Sequence, residues 1–133
     1  MREGHNSSAF EAVVEANILL SGIGFESGGL GSAHAIQNGL AQLPQARSVL
    51  HGELVALGLL AMLSLKGKKE EIHRITNFFA EIGLPCSLAA VGLSDLSDEA
   101  LMRAANFAAT PGPMNRMPAS HTPREVYSAL RRL

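Results

Sequence analysis

The chain has no tryptophan, one tyrosine, one cysteine and few charges, and each scarcity removes a class of function. With aromatic residues at 5%, there is no stacking platform for bases or sugars. Eleven basic residues against twelve acidic ones leave a formal net charge of -1, so no long-range field draws in phosphate backbones or anionic lipid. Neither nucleic acid nor a membrane is an expected partner. The single thiol, Cys86, can form no internal disulfide and has no CxxC partner. It reads as a small buried side chain rather than a nucleophile, and a reducing cytoplasm is the expected compartment. The opening MREGHNSSAF lacks the apolar core of a signal peptide. The apolar, uncharged run in the middle, Leu54 to Leu65, is well short of the ~20 residues that span a bilayer, and it reads as a buried helix.

What is present is apolar and small-residue rich: 133 residues, 47% hydrophobic and 17% charged, enough to bury a core as one helical domain over 1–133. No segment alternates apolar and polar residues between hairpin turns, so the expected fold class is all-α. Helical spacing of Phe10, Val13, Val14, Ile18 and Leu20 predicts a first helix from Ser8 to about Leu20, ended by the glycines and serines of SGIGFESGGLGS. Periodicity resumes through Leu30, Ala33, His34, Ile36, Gln37 and Leu40 as a second helix. After a loop at Leu43-Pro44-Gln45, a third helix opens near His51 and runs to Lys66-Gly67. The fourth, KKEEIHRITNFFAEIG, sets Ile72, Ile75, Phe78, Phe79 and Ile82 on one stripe with Gly83 as its C-cap. Ser97-Asp98-Glu99 signals a fifth. The proline-rich ATPGPMNRMPASH is a loop in which Met114 and Met117 are gap fillers, and Thr122-Pro123-Arg124-Glu125 starts a final helix with a capping box.

The glycines from Gly22 to Gly31 do not make a phosphate loop, because the G-x-G-x-x-G spacing and the preceding strand are both missing; they read as a corner between two helices. His34 and His51 are the sharper candidates. Each lies at a helix position beside small residues, Ala33 and Ala35 around one and Gly52 after the other. Neutral imidazoles from adjacent helices can converge on one metal ion, and they can equally be hydrogen-bonded interface residues; the spacing leaves both open. Glu15, Glu26 and Glu53 could orient a ligating imidazole or serve as caps and solvated charges. His5, His73 and His121 read as solvated, as do Lys66, Lys68, Lys69 and Arg74 interleaved with Glu70 and Glu71.

Taken as whole strings, AVVEANILLSGIGFESGGLGSAHAIQNGL and HGELVALGLLAML resemble the metal-ligand region of NAD-dependent glycerol dehydrogenase, in the iron-containing alcohol dehydrogenase superfamily. The resemblance continues through Gly83-Leu84-Pro85 and the closing TPREVYSAL, and so covers nearly the whole chain. It implies a multi-helix bundle like that family's C-terminal domain, with His34 and His51 on two of three protein ligands to zinc or another divalent metal. The third ligand, an aspartate, and the NAD-binding α/β domain would lie outside these residues. For the complete enzyme the resemblance implies oxidation of glycerol, a small polyol, to dihydroxyacetone. Two ligands should hold the ion weakly, and these residues alone should be inactive without that domain. Gln37 stands where the family often has a histidine, and Ser120-His121 interrupts a proline-valine run usual before the last helix. Gln37 cannot act as a titrating proton relay. Implied partners are the missing N-terminal half or further copies of the chain. Two alternatives stand beside this reading: a helical interaction or assembly module, and a remnant metal-binding protein that completes its site with His121 or a second chain.

Overall fold

The computed structural model describes residues 7–28, 30–110 and 121–133, with backbone only over 25–28. Among these, the chain forms six α-helices and no strand, the expected all-α class: α1 Ser8–Gly28, α2 Ser32–Ala41, α3 His51–Leu65, α4 Lys69–Ile82, α5 Asp98–Ala108 and α6 Pro123–Leu130. Local chemistry explains several boundaries. The Ser97 hydroxyl accepts the Ala100 N–H at the start of α5. At the start of α6, Thr122 Oγ1 accepts from the Glu125 N–H while the Glu125 carboxylate accepts the Thr122 N–H at 2.7 Å, ahead of Pro123 at the first helical position. Gly83 ends α4 in the left-handed conformation. The proline-rich loop with Met114 and Met117 lies outside the described residues.

Helix α2 is central, packed between α3 and α5; α6 closes the group against α5 and α3, and α4 packs mainly on α3. The core joins Ile36 and Leu40 of α2, Leu54 and Leu57 of α3, Leu101 and Ala104 of α5, and Val126 and Leu130 of α6, with Leu43 and Leu93 from the connections. Each large side chain buried here contributes about 1.5–3 kcal/mol. Two glycines allow the close approach. A Cβ on Gly58 would fall 2.2 Å from the Ala33 carbonyl oxygen, and one on Gly39 2.2 Å from that of Ala104, so α2 touches α3 and α5 backbone to backbone.

Two expectations are corrected. The first helix does not stop near Leu20 but continues through Gly22 and Gly24 to Gly28, so most of the expected glycine corner is helix. A glycine inside a helix costs only about 1 kcal/mol relative to alanine, and no proline blocks the run. The α4 stripe is also narrower than its spacing suggests. Phe79 is buried, whereas Phe78 and Ile82 stay about half exposed, because α4 packs by one side, on α3 and the residues around Leu84 and Leu133.

Candidate metal centre

His34 sits in the first turn of α2 and His51 is the first residue of α3. The Gly58–Ala33 contact holds the start of α2 against α3, and a connection with a 3-10 turn at Pro44–Ala46 delivers His51 to the same place. The two rings lie with centroids 5.7 Å apart and planes inclined at 42°. His34 is half-buried and His51 is exposed, so the pair sits at the surface with one open side.

Burial, and after it the charge of His51, holds the His34 imidazole below the usual histidine value. His34 therefore favours its neutral form, the form that can donate a lone pair to a metal. The distance suits such a role: a zinc–nitrogen bond of about 2.0 Å places each ring centre about 3 Å from the ion, and hence two ligating rings about 5–6 Å apart.

The surrounding acids do not complete the pair. Glu53 is engaged as a cap, its carboxylate accepting the Leu50 N–H at 2.9 Å. Glu15 is exposed on α1, and the Glu26 side chain lies outside the described residues, as does His5. His121 sits beside Glu125, whose carboxyl is held low mainly by hydrogen bonds from the Thr122 backbone and side chain and less by that histidine. His73 is exposed on α4 beside Asn77. Among the described residues no three His, Cys, Asp or Glu side chains gather into a metal-holding group. The Cys86 thiol donates weakly to the Thr76 and Leu84 carbonyls, and Arg74 pairs with Glu71 at 2.7 Å on an exposed face of α4.

One feature of the site escapes sequence reasoning, and another takes its meaning only from burial. Gly58 lies unmarked within a leucine-rich helix, its only signal being a side chain too small for its neighbours. Gln37, one turn beyond His34, is 5% exposed, and its amide oxygen has no hydrogen-bond donor among the described residues; the Ser32 hydroxyl is buried and unpartnered in the same way.

Comparison with known proteins follows the same outline. No family model matches the chain. The glycerol dehydrogenase of Thermotoga maritima is 47% identical over 92% of this chain, and that of Citrobacter freundii 44% identical over 93%. A crystal structure of a probable glycerol dehydrogenase from Sinorhizobium meliloti superposes with a TM-score of 0.88 at 36% identity, covering 98% of this chain and 38% of that one. The chain spans about a third of the length of the curated relatives it matches, 34% in both cases. An all-helical body that matches glycerol dehydrogenases along nearly its whole length has the fold of the helical part of such dehydrogenases. It belongs to the glycerol dehydrogenase family, corresponding to the C-terminal helical part of its members. No helix among the described residues is long and apolar enough to cross a membrane.

Proposed function

We propose that these residues are the metal-bearing helical part of a glycerol-dehydrogenase-like, NAD-dependent oxidoreductase, with His34 and His51 as two of three protein ligands to a zinc ion. The observation that carries this reading is the pair itself: two imidazoles from two helices, 5.7 Å apart and held by a backbone contact between those helices. When bound, the ion supplies a Lewis acid that lowers the pKa of a coordinated alcohol. The chain's own part is positional. α2 and α3 fix the span of the pair, partial burial shifts His34 toward its neutral form, and the exposed edge at His51 leaves room for a third ligand and a polyol. The residues thus form one half of a cleft, and oxidation of glycerol to dihydroxyacetone with NAD is an activity of the complete enzyme.

Calorimetric titration with Zn²⁺ tests the ligands. The 133-residue polypeptide should bind one ion, more weakly than a closed structural site. His34→Ala and His51→Ala should each weaken binding by more than about tenfold, and unchanged affinity in either variant would refute the assignment. The same polypeptide with NAD, Zn²⁺ and glycerol should form no NADH, and steady absorbance growth would show that a complete site is already present.

A further inference from the structure

The histidine pair lies at the start of α3, and the far end of that helix opens into a cavity of about 500 Å³ in which neither histidine takes part. From His51 to Ser64 the helix rises about 20 Å, at about 1.5 Å per residue. We propose that this cavity binds a small amphipathic carboxylic acid, its carboxylate on Arg132 and Lys69 and its apolar chain against Leu60, Ile72 and Leu133. The proposal does not rest on the reading of His34 and His51 as metal ligands.

The cavity forms where the end of α3, the start of α4 and the residues after α6 meet. Leu60, which is buried, and Ile72 and Leu133, which are half-buried, make its lining mostly apolar. Arg132 donates to the Ser64 hydroxyl at 3.2 Å, and these two side chains also border a second cavity of about 300 Å³. The one acid there, Glu125, is engaged by the Thr122 N–H at 2.7 Å and hydroxyl at 2.8 Å. Among the described residues neither Lys69 nor Arg132 meets an acidic side chain; the ion pairs are Arg74 with Glu71 and Arg131 with Asp98. The main-chain oxygen of Leu133 is taken up by the Leu88 N–H at 3.3 Å. A guanidinium carries five N–H donors in a planar fork that matches a carboxylate, and Ser64 occupies only part of it. Two cations without an acid call for an anion. The apolar lining narrows the choice, because an inorganic ion gains nothing from Leu60, Ile72 and Leu133. So does the volume, which falls within the range of about 300–1,000 Å³ for small-molecule sites. Two turns of a partner helix, about 10 Å across and 11 Å long, would fill roughly 850 Å³. A molecule with one anionic head and one short apolar chain satisfies all three conditions.

Octanoate is the probe, titrated at neutral pH into the ¹⁵N-labelled 133-residue chain while amide shifts are followed by NMR. The amides of Ser64, Gly67 and Leu133, which line the cavity, should move saturably. Octan-1-ol and octylamine, which keep the chain and lose the negative head, should each bind at least about tenfold more weakly. Butanoate, four methylenes shorter, should also bind at least about tenfold more weakly. Arg132→Gln should weaken octanoate by about tenfold and Lys69→Gln by about threefold, with circular dichroism unchanged in both. Ile72→Asp, which places a like charge on the apolar lining, should abolish saturable binding. The double variant His34→Ala/His51→Ala should bind octanoate as wild type does, so a failure of the metal assignment leaves this proposal standing. Equal binding of octanoate and octan-1-ol would overturn it, as would octanoate affinity unchanged in both Arg132→Gln and Lys69→Gln. Shifts centred on the exposed apolar residues of α1 would overturn it too. Flotation of the chain on phosphatidylglycerol vesicles, lost in Arg132→Gln and without saturable octanoate binding, would assign the same side chains to a lipid surface instead of a free acid.

Discussion

At the scale of single residues, His34 links the fold to pH. Its folded-state pKa is lowered by burial and then by His51. Between that lowered value and the ordinary 6.5, the folded chain binds fewer protons here than the unfolded one. The stability this confers is present above the ordinary value and declines as pH falls through that window. Urea unfolding at about pH 5 and about pH 7.5 should therefore give a lower midpoint in acid, and His34→Gln should narrow the difference. A difference unaltered by His34→Gln would remove this residue from the account. Gln37 supplies a second test. An unpartnered buried amide oxygen costs about 1–3 kcal/mol, so Gln37→Met, which keeps the volume and removes the orphan acceptor, should raise unfolding stability by about 1 kcal/mol. A loss in chemical denaturation would mean that the oxygen is satisfied in solution. The sequence made both residues conspicuous, His34 as a candidate ligand and Gln37 as an odd substitution, but burial decides what they do. Burial depends on neighbours far away in the chain.

At the scale of elements, the α2–α3 contact is the feature most exposed to disruption. Gly58→Ala pushes a methyl group to within 2.2 Å of the Ala33 carbonyl oxygen, so the helices must separate. The expected loss is about 1–3 kcal/mol in unfolding stability. Zinc affinity should fall in the same variant because the rings move apart, whereas Gly39→Ala, at the α2–α5 contact, should cost similar stability and spare the metal. Equal zinc binding by wild type and Gly58→Ala would dissociate the contact from the site. Helix starts such as Ser97 and Thr122-Pro123-Arg124-Glu125 were legible in the sequence because a cap is settled within four residues. The end of α1 was not, since a glycine weighs little against a long helical run, and the exposure of Phe78 and Ile82 depends on a packing partner that periodicity cannot reveal. The approach of His34 to His51 belongs to the same class: spacing allowed it, and only the crossing of two helices produces it.

At the scale of the whole molecule, the described residues divide into a packed group, α2 to α6, and a lone apolar α1. The histidine pair belongs to the packed group and is built from two helices that follow one another in the chain. That adjacency has a kinetic consequence. Contacts between near neighbours close small loops, which cost little chain entropy, so α2 and α3 can meet before α6 arrives from the far end. Both imidazoles are then in place while much of the chain is still disordered. Zinc present during refolding should accelerate the folding limb in stopped-flow measurements more than it slows unfolding, with His34→Ala/His51→Ala abolishing the gain. An effect confined to the unfolding limb would show that the pair assembles late. If it assembles early, these two helices act as a nucleus that an ion can stabilise before the rest of the chain has folded.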